Sequence, residues 1–292
     1  MAREKIAKGK IAVRLMLIGV GFILLFMLIM QPFAIHRYHE QIVVLFPKGI
    51  VALEQRNLLF ILQGIMLLVI LPVYVLTFVF SWKYRSSNPK ATYDPDLVDN
   101  RLAEVIWWGV PLILTGVVAV LTAYKTYELD PYRPLVSDKK PLHLQVVALD
   151  WKWLFIYPEE KIATVNFVPF PKEVPLHFEI TSDAPMNSFW IPALGGQIYA
   201  MPKMKTELYL MANEEGEFRG SSANISGEGF SGMHFIASAM SEEGFQAWLE
   251  KAKASENVLN RETYRELRAP SKNHPTEIYR LQDEKLFHEI LM

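Results

Sequence analysis

The sequence predicts an α+β membrane protein. Two transmembrane helices, three if the N-terminal segment is counted, lead into an antiparallel β-sandwich outside the cytoplasm and then a helical C-terminal tail. Three observations carry that fold class. Of the 292 residues 51% are hydrophobic and 21% charged, an apolar balance for a soluble chain of this size. Long apolar runs are confined to the first 123 positions. After Pro131 short alternating segments take over, separated by Pro, Gly and Asn, the pattern of strands and turns.

The first run, Leu15 to Met30, is unbroken; the second, Leu58 to Ser81, is interrupted by Gln63, Gly64, Pro72 and hydroxyl residues; the third is Val105 to Ala123. Each approaches or exceeds the roughly 20 residues that cross a hydrocarbon core. Pro72 and Pro111 are tolerated in such helices where neighbours satisfy the freed carbonyls. Arg3, Lys5, Lys8, Lys10 and Arg14 precede the first run, and Lys83, Arg85, Lys90 and Arg101 separate the second from the third. The positive-inside rule therefore puts the N-terminus and the 82–103 loop in the cytoplasm, and everything after Thr126 outside. Trp82, Tyr84, Trp107 and Trp108 suit interfacial positions. A basic segment before an apolar run also describes a signal peptide. The run is long for that, and no clear small-x-small site follows, so a retained anchor is the favoured reading and a signal peptide the alternative. The expected domains are 1–36 (anchor or signal), 37–129 (helical hairpin), 130–240 (sandwich) and 241–292 (tail).

Within the outer part, 142–157, 175–181, 206–212 and 233–240 read as strands, and short punctuated strands suggest a sandwich. The segment 241–254 opens with Ser241, Glu242 and Glu243 and then spaces Phe245, Trp248, Leu249 and Ala252 helically. The polar remainder reads as one or two short helices with loops.

The net charge of −1 gives no basic footprint for nucleic acid. The absence of cysteine excludes disulfides, thiolate metal sites and cysteine nucleophiles within this chain. The histidines do not cluster with carboxylates along the sequence; His36 and His39 are a possible ligand pair or a polar membrane-edge segment, and His143, His177, His234, His274 and His288 are scattered. No nucleophile elbow, P-loop or dinucleotide fingerprint is present, so the chain alone shows no active site. Three features remain. Trp151 and Trp153 in "DWKW", in step with Phe155 and Tyr157, are sandwich core or a docking patch for a membrane partner. Glu104 is a first-turn glutamate favoured by the helix dipole or a functional carboxylate at the mouth of a span. The loop "SANISGEGFSGM" (222–233) has the spacing of a metal site and no strong ligand.

The segments "ALEQRNLLF", "FSWKYRSSN", "AEVIWWGVPLI", "LDWKWLFIYPEEKIATVNF", "MNSFWIPALGGQIYAMPKM" and "SGEGFSGMHF" closely resemble segments of the bo-type ubiquinol oxidase subunit II family, within the haem–copper respiratory oxidases. The resemblance runs from about Pro47 to the C-terminus, with many motifs in the right order. It implies a cupredoxin-like outer domain. In the cytochrome c oxidases of this superfamily that domain holds a dinuclear copper centre through a His and a C-x-x-x-C-x-x-x-H-x-x-M loop. Laid on this sequence, the first His falls on Asn187, the two Cys on Ser222 and Ser226, the second His on Phe230 and the Met on Met233. Soft copper needs thiolate and imidazole, so the resemblance implies the quinol-oxidase pattern, without that copper centre.

What the resemblance implies further is a structural and proton-path subunit of a proton-pumping ubiquinol oxidase in a bacterial inner membrane. Its outer domain would face the periplasm, with no cofactor of its own and no cytochrome c as donor. Subunit I would hold the haems and one copper and oxidise ubiquinol; subunits III and IV and the lipid bilayer are further partners. Glu104 aligns with the glutamate at the entrance of a proton channel into subunit I. Trp151 aligns with the electron-accepting tryptophan of the superfamily, and with Trp153 is expected to dock on subunit I. The family's lipid-modified cysteine is missing from "FMLIMQPFAIHRYHE". The alternatives are a menaquinol oxidase subunit of the same architecture and, in another class, a membrane-anchored cupredoxin-like binding or assembly module.

Overall fold

The computed structural model describes residues 42–92 and 99–292. The first apolar run, the 1–36 segment and the His36/His39 pair lie outside the described residues. The described residues divide into two compact units, one drawn from Leu59–Ala123 and the other from Val43–Leu58 with Tyr124–Met292.

The first unit carries most of two helices, α1 (Ile50–Lys83) and α2 (Arg101–Glu128). Both are long and apolar enough to cross a membrane, with mean hydropathies of 2.6 and 2.1 in their best windows. Their Leu, Ile, Val and Phe side chains are exposed. Such surfaces are stable where lipid or another apolar helix covers them, and a helix satisfies its own backbone there. Pro72 and Pro111 lie inside the helices, as expected.

Both helices outrun the apolar stretches read from sequence, and the extra turns before Leu58 in α1 and after Ala123 in α2 belong to the second unit. Packing explains this. Lys48 and Gly49 donate their backbone N–H groups to the Ala193 carbonyl at 2.8 and 3.0 Å, and Ala52 donates to Leu194 at 3.1 Å. A Cβ on Gly49 would stand 2.7 Å from the Leu194 carbonyl oxygen and 2.8 Å from that of Met211, so only glycine permits this approach. At the far end of α2, Lys125 pairs with both Glu54 of α1 and Glu128 at 2.8 Å.

The second unit is a two-sheet sandwich. Its strands are β1 (Leu142–Leu149), β2 (Lys152–Tyr157), β3 (Ile162–Val165), β4 (Phe167–Pro171), β5 (Leu176–Ser182), β6 (Asn187–Trp190), β7 (Ile198–Ala200), β8 (Thr206–Leu210), β9 (Gly216–Ser222), β10 (His234–Met240), β11 (Val258–Leu259) and β12 (Glu277–Leu281). One sheet has the order β11-β12-β3-β2-β1-β5-β8, the other β4-β10-β9-β6-β7. Most pairings are antiparallel, as expected, but β1–β5, β4–β10 and β11–β12 run parallel. All three join strands separated by long connections, which is what parallel pairing requires.

The 142–157 run is not one strand. It breaks at Asp150–Trp151, where Trp151 takes φ +66°, and folds back as the β1–β2 hairpin. The helix predicted over 241–254 is present as α3 (Glu242–Lys253), with Ser241 Oγ accepting the Gly244 N–H at 3.0 Å and Phe245, Leu249 and Ala252 buried. The rest of the tail holds two short helices, within the one or two expected, and adds strand besides. Between α4 (Arg261–Arg268) and α5 (Leu286–Leu291) the chain adds β12 to the edge strand β3, so the tail completes a sheet rather than standing apart.

The core between the sheets is aromatic. Trp153, Phe155, Phe178, Phe189 and Phe235 are all buried; Phe189 and Phe235 stack at 5.1 Å, and Trp153 meets both edge-on at 5.3 and 5.8 Å. Gly220 backs this cluster, since a Cβ there would lie 2.1 Å from the Phe235 ring. A second core forms on the other face of the larger sheet, where Tyr264, Leu267, Leu286 and Phe287 of the tail cover Val147, Leu149, Leu154 and Ile156.

Phe235→Ala removes a ring that touches three others and is expected to cost about 3–5 kcal/mol. Denaturant unfolding of the full chain in detergent, followed by the tryptophan signal of the β domain, measures it; a loss within experimental error of zero contradicts the packing described.

Candidate functional site

The 222–233 loop leaves β9, passes through a 3-10 turn at Phe230–Gly232 and enters β10. Neighbouring aromatic residues place it: Asn187, on β6 beside β9, stands two positions before Phe189, and Met233, where the loop ends, two before Phe235. Asn187, Ser222 and Met233 are all buried. Ser222 Oγ donates to Asn187 Oδ1 at 2.9 Å, and Asn187 Nδ2 donates to the Pro185 carbonyl at 2.8 Å. Ser222 Oγ also accepts the Ser188 N–H at 3.4 Å. Of the five positions aligned with a metal site, two are therefore joined directly by a hydrogen bond. Met233 packs in the core, Phe230 offers no lone pair, and Ser226 Oγ is buried without a hydrogen-bond partner. A hydroxyl stays protonated near neutral pH, and this donor set does not fit soft copper. Among the described residues no group of three or more His, Cys, Asp or Glu is placed to hold a metal ion.

Packing holds the loop instead. The Trp151 indole lies on its glycines: a Cβ at Gly229 would stand 2.2 Å from the ring and one at Gly227 3.3 Å. Trp151 Nε1 donates to the Ser226 carbonyl at 3.2 Å. The tail closes over the other side. Lys272 pairs with Glu228 at 2.9 Å and lies 5.9 Å from the Trp151 ring centroid, and Asn273 Oδ1 would meet a Cβ on Gly232 at 2.3 Å. Lys152, buried, donates to the Ala269 carbonyl at 2.7 Å and to Ser271 Oγ at 2.5 Å; desolvation holds its pKa below the usual lysine value.

The two tryptophans thus separate. Trp151 is half-buried in the hairpin turn, with part of its surface open. Trp153 is fully buried in the core, which corrects its expected place in a docking patch. The alternation of β2 sends Trp153, Phe155 and Tyr157 inward together, while Trp151, outside the strand, escapes that register. Glu104 is exposed in the first turn of α2. Asn100 Oδ1 accepts the Ala103 N–H there at 3.0 Å, so the helix start is capped without Glu104, and Glu104 makes no ion pair among the described residues.

One cluster was not legible in the sequence, and it corrects the reading that the histidines avoid carboxylates. Parallel pairing sets His143 beside His177, their rings 5.2 Å apart. His143 Nε2 lies 3.1 Å from Glu179 Oε2, His177 Nε2 3.2 Å from Glu207 Oε2, and Lys205 bridges both glutamates at 2.6 and 3.1 Å. His177 also stacks on Tyr209 at 4.5 Å. Hydrogen bonding from His143, followed by Lys205, pushes Glu179 down to about 2, and Lys205 likewise lowers Glu207.

The family model described as COX Aromatic Rich Motif matches residues 253–292. Cytochrome bo(3) ubiquinol oxidase subunit 2 of Pseudomonas putida is 53% identical over 233 residues, covering 80% of this chain and 74% of the relative. Ubiquinol oxidase subunit 2 of Acetobacter aceti is 47% identical over 250 residues, covering 85% of this chain and 81% of the relative. Among solved structures, the periplasmic domain of subunit II of cytochrome oxidase of Bradyrhizobium japonicum is 20% identical, with a TM-score of 0.39, covering 41% of this chain and 97% of that one.

Two outcomes follow from this geometry. Gly229→Ala forces the Trp151 ring off the loop and is expected to cost about 1–3 kcal/mol; the Trp151 contribution to fluorescence, isolated by difference against Trp151→Phe, moves to longer wavelength. An unchanged difference spectrum contradicts the contact. Glu179 has a pKa lowered on folding, so it stabilises the fold above the ordinary glutamate pKa and loses that contribution as pH falls through about 2. In Glu179→Gln the denaturation midpoint falls less steeply across that acid window than in wild type; parallel pH profiles refute this.

Proposed function

The chain belongs to the ubiquinol oxidase subunit 2 family, and from that membership we propose that it serves as subunit II of a terminal respiratory oxidase that oxidises ubiquinol and reduces oxygen to water. The observation that carries this reading is the pairing of identity above half over most of the chain with a loop whose strong-ligand positions hold Asn187, Ser222, Ser226 and Phe230. A subunit that relays electrons from a soluble cytochrome needs a metal in that loop. Here a hydrogen bond and packing occupy the place, so the electrons enter elsewhere, from a membrane quinol oxidised in a partner subunit. That partner, subunit I, holds the haems and the copper at which oxygen is reduced, and subunits III and IV complete the assembly.

In this reading the two spans anchor the chain in the bacterial inner membrane, with the cupredoxin-like domain on the periplasmic side. The placement rests on Lys83, Arg85, Lys90 and Arg101 between the spans. Exposed α1 and α2 side chains are then covered by subunit I and lipid. Trp151, with its open surface beside the loop, is the docking residue toward subunit I; Trp153 supports it from the core.

Glu104 is the proton-collecting group. It sits in the first turn of α2, exposed and free of an ion pair among the described residues. A carboxylate there takes protons from the cytoplasm and passes them to a water chain in the partner. Its cap role is already filled by Asn100, which supports a use beyond helix initiation.

The test is purification of the tagged complex in mild detergent, with a haem spectrum and oxygen uptake on ubiquinol. Haem-containing, ubiquinol-dependent uptake supports the reading; a chain that purifies without haem or uptake favours an assembly module. In the same preparation Glu104→Gln is expected to keep its haem and lose turnover several-fold, about 1 kcal/mol or more on the limiting step, with Glu104→Asp retaining more. Wild-type turnover in the Gln variant removes the proton role.

A further inference from the structure

A cavity of about 510 Å3 lies within the second unit, where the first turns of α1 (Val51, Gln55) and the last turns of α2 (Tyr124, Tyr127, Glu128) meet the 129–136 segment and β8. In sequence it follows directly on the apolar runs, before Leu58 and after Ala123. Its walls are apolar and aromatic, with Val51, Leu135, Leu208 and Tyr127 among them.

The charges in the cavity do not cancel one another. Glu128 is paired with Lys125 at 2.8 Å. Asp130 Oδ1 accepts the Tyr132 N–H at 2.9 Å. Arg133 lies with its guanidinium 5.2 Å from the Tyr127 ring centroid and has no carboxylate partner among the described residues. Each acid has an ion-pair or hydrogen-bond partner, and Arg133 rests on the Tyr127 ring with no carboxylate against it among the described residues. A guanidinium offers planar paired donors that suit phosphate oxygens. Tyrosines and an arginine at the end of an apolar helix are also the residue types that sit at headgroup level.

We propose that this cavity binds one membrane phospholipid. Arg133 takes the phosphate, the Gln55 and Gln197 amides that line the same cavity contact the glycerol and headgroup, and the apolar wall receives the start of an acyl chain. A free phosphate ion leaves those walls unused, and the lining residues directly flank the apolar runs in sequence, which supplies lipid at high local concentration. The proposal rests on the membrane placement above but not on the oxidase chemistry.

The assembled complex, purified in mild detergent, is washed stepwise in excess detergent while bound phospholipid is counted by mass spectrometry of the intact assembly. Wild type is expected to keep a phospholipid that Arg133→Ala releases about tenfold faster, the loss of roughly one charge-assisted hydrogen bond, and that Leu135→Trp, by filling the apolar wall, also releases faster. Haem content and oxygen uptake on ubiquinol stay at the wild-type level in both variants. Val136 is 98% exposed beside the cavity; a photoreactive benzophenone side chain in its place is expected to label phospholipid. Equal retention in all three proteins, no retained lipid in wild type, or labelling confined to a protein subunit overturns the proposal. If the complex lacks haem but the Arg133-dependent lipid persists, the oxidase reading fails and the lipid site stands.

Discussion

The aromatic cluster of Trp153, Phe155, Phe189 and Phe235 is the contact on which the rest of the β domain depends. It joins the two sheets, and through the two-residue period of the strands it also sets their outer ends. Trp151, Asn187 and Met233 each stand two positions from a member of the cluster. Fixing Phe189 and Phe235 against Trp153 therefore fixes Asn187 and the exit of the loop at Met233, while the turn at Trp151 is held by its own contacts with the loop. Buried aromatic area supplies the energy for this, and edge-on and offset geometries supply its direction.

On that base the 222–233 loop is held without a metal ligand set among the described residues. The Ser222–Asn187 hydrogen bond closes one side. The Trp151 ring fills the space over Gly227 and Gly229, and the 269–274 segment presses from outside through Lys272, Asn273 and the carbonyl that receives Lys152. A metal holds such a loop through a few strong directional bonds. Here the 222–233 loop is held by many weak contacts from three separate parts of the chain.

The second and third spans were legible in the sequence because apolar runs and flanking Lys and Arg act locally, and so was the turn between β9 and β10, because its glycines are a local signal. What could not be read depends on register between distant strands. The ladder of His143, His177, Glu179, Glu207 and Lys205 exists only because β1 pairs with β5 and β5 with β8. The turn at Trp151 was hidden by an apolar run that continues across it, with neither Gly nor Pro to mark the break. The helices were read too short, since Ile50–Asn57 is polar enough to look like a loop and becomes helix by packing Gly49 and Ala52 on the 193–194 carbonyls. Trp153 was the clearest error of emphasis. Two tryptophans two apart invite one interpretation, and the turn between them gives them different fates.

The strand β12 and helix α5 have a consequence for how the domain is made. Strand β3 gains its outer neighbour, and Leu154 and Ile156 their cover, from residues synthesised more than a hundred positions later. Until that segment arrives, the larger sheet presents an open edge and a greasy face, the kind of surface that invites edge-to-edge association. The ammonium of Lys152 meanwhile lacks its carbonyl and hydroxyl acceptors. Biosynthesis thus delivers the protective layer last. A nascent domain of this design must be shielded by other proteins while it waits, and a chain clipped before the tail displays the features by which quality-control proteases recognise incomplete products.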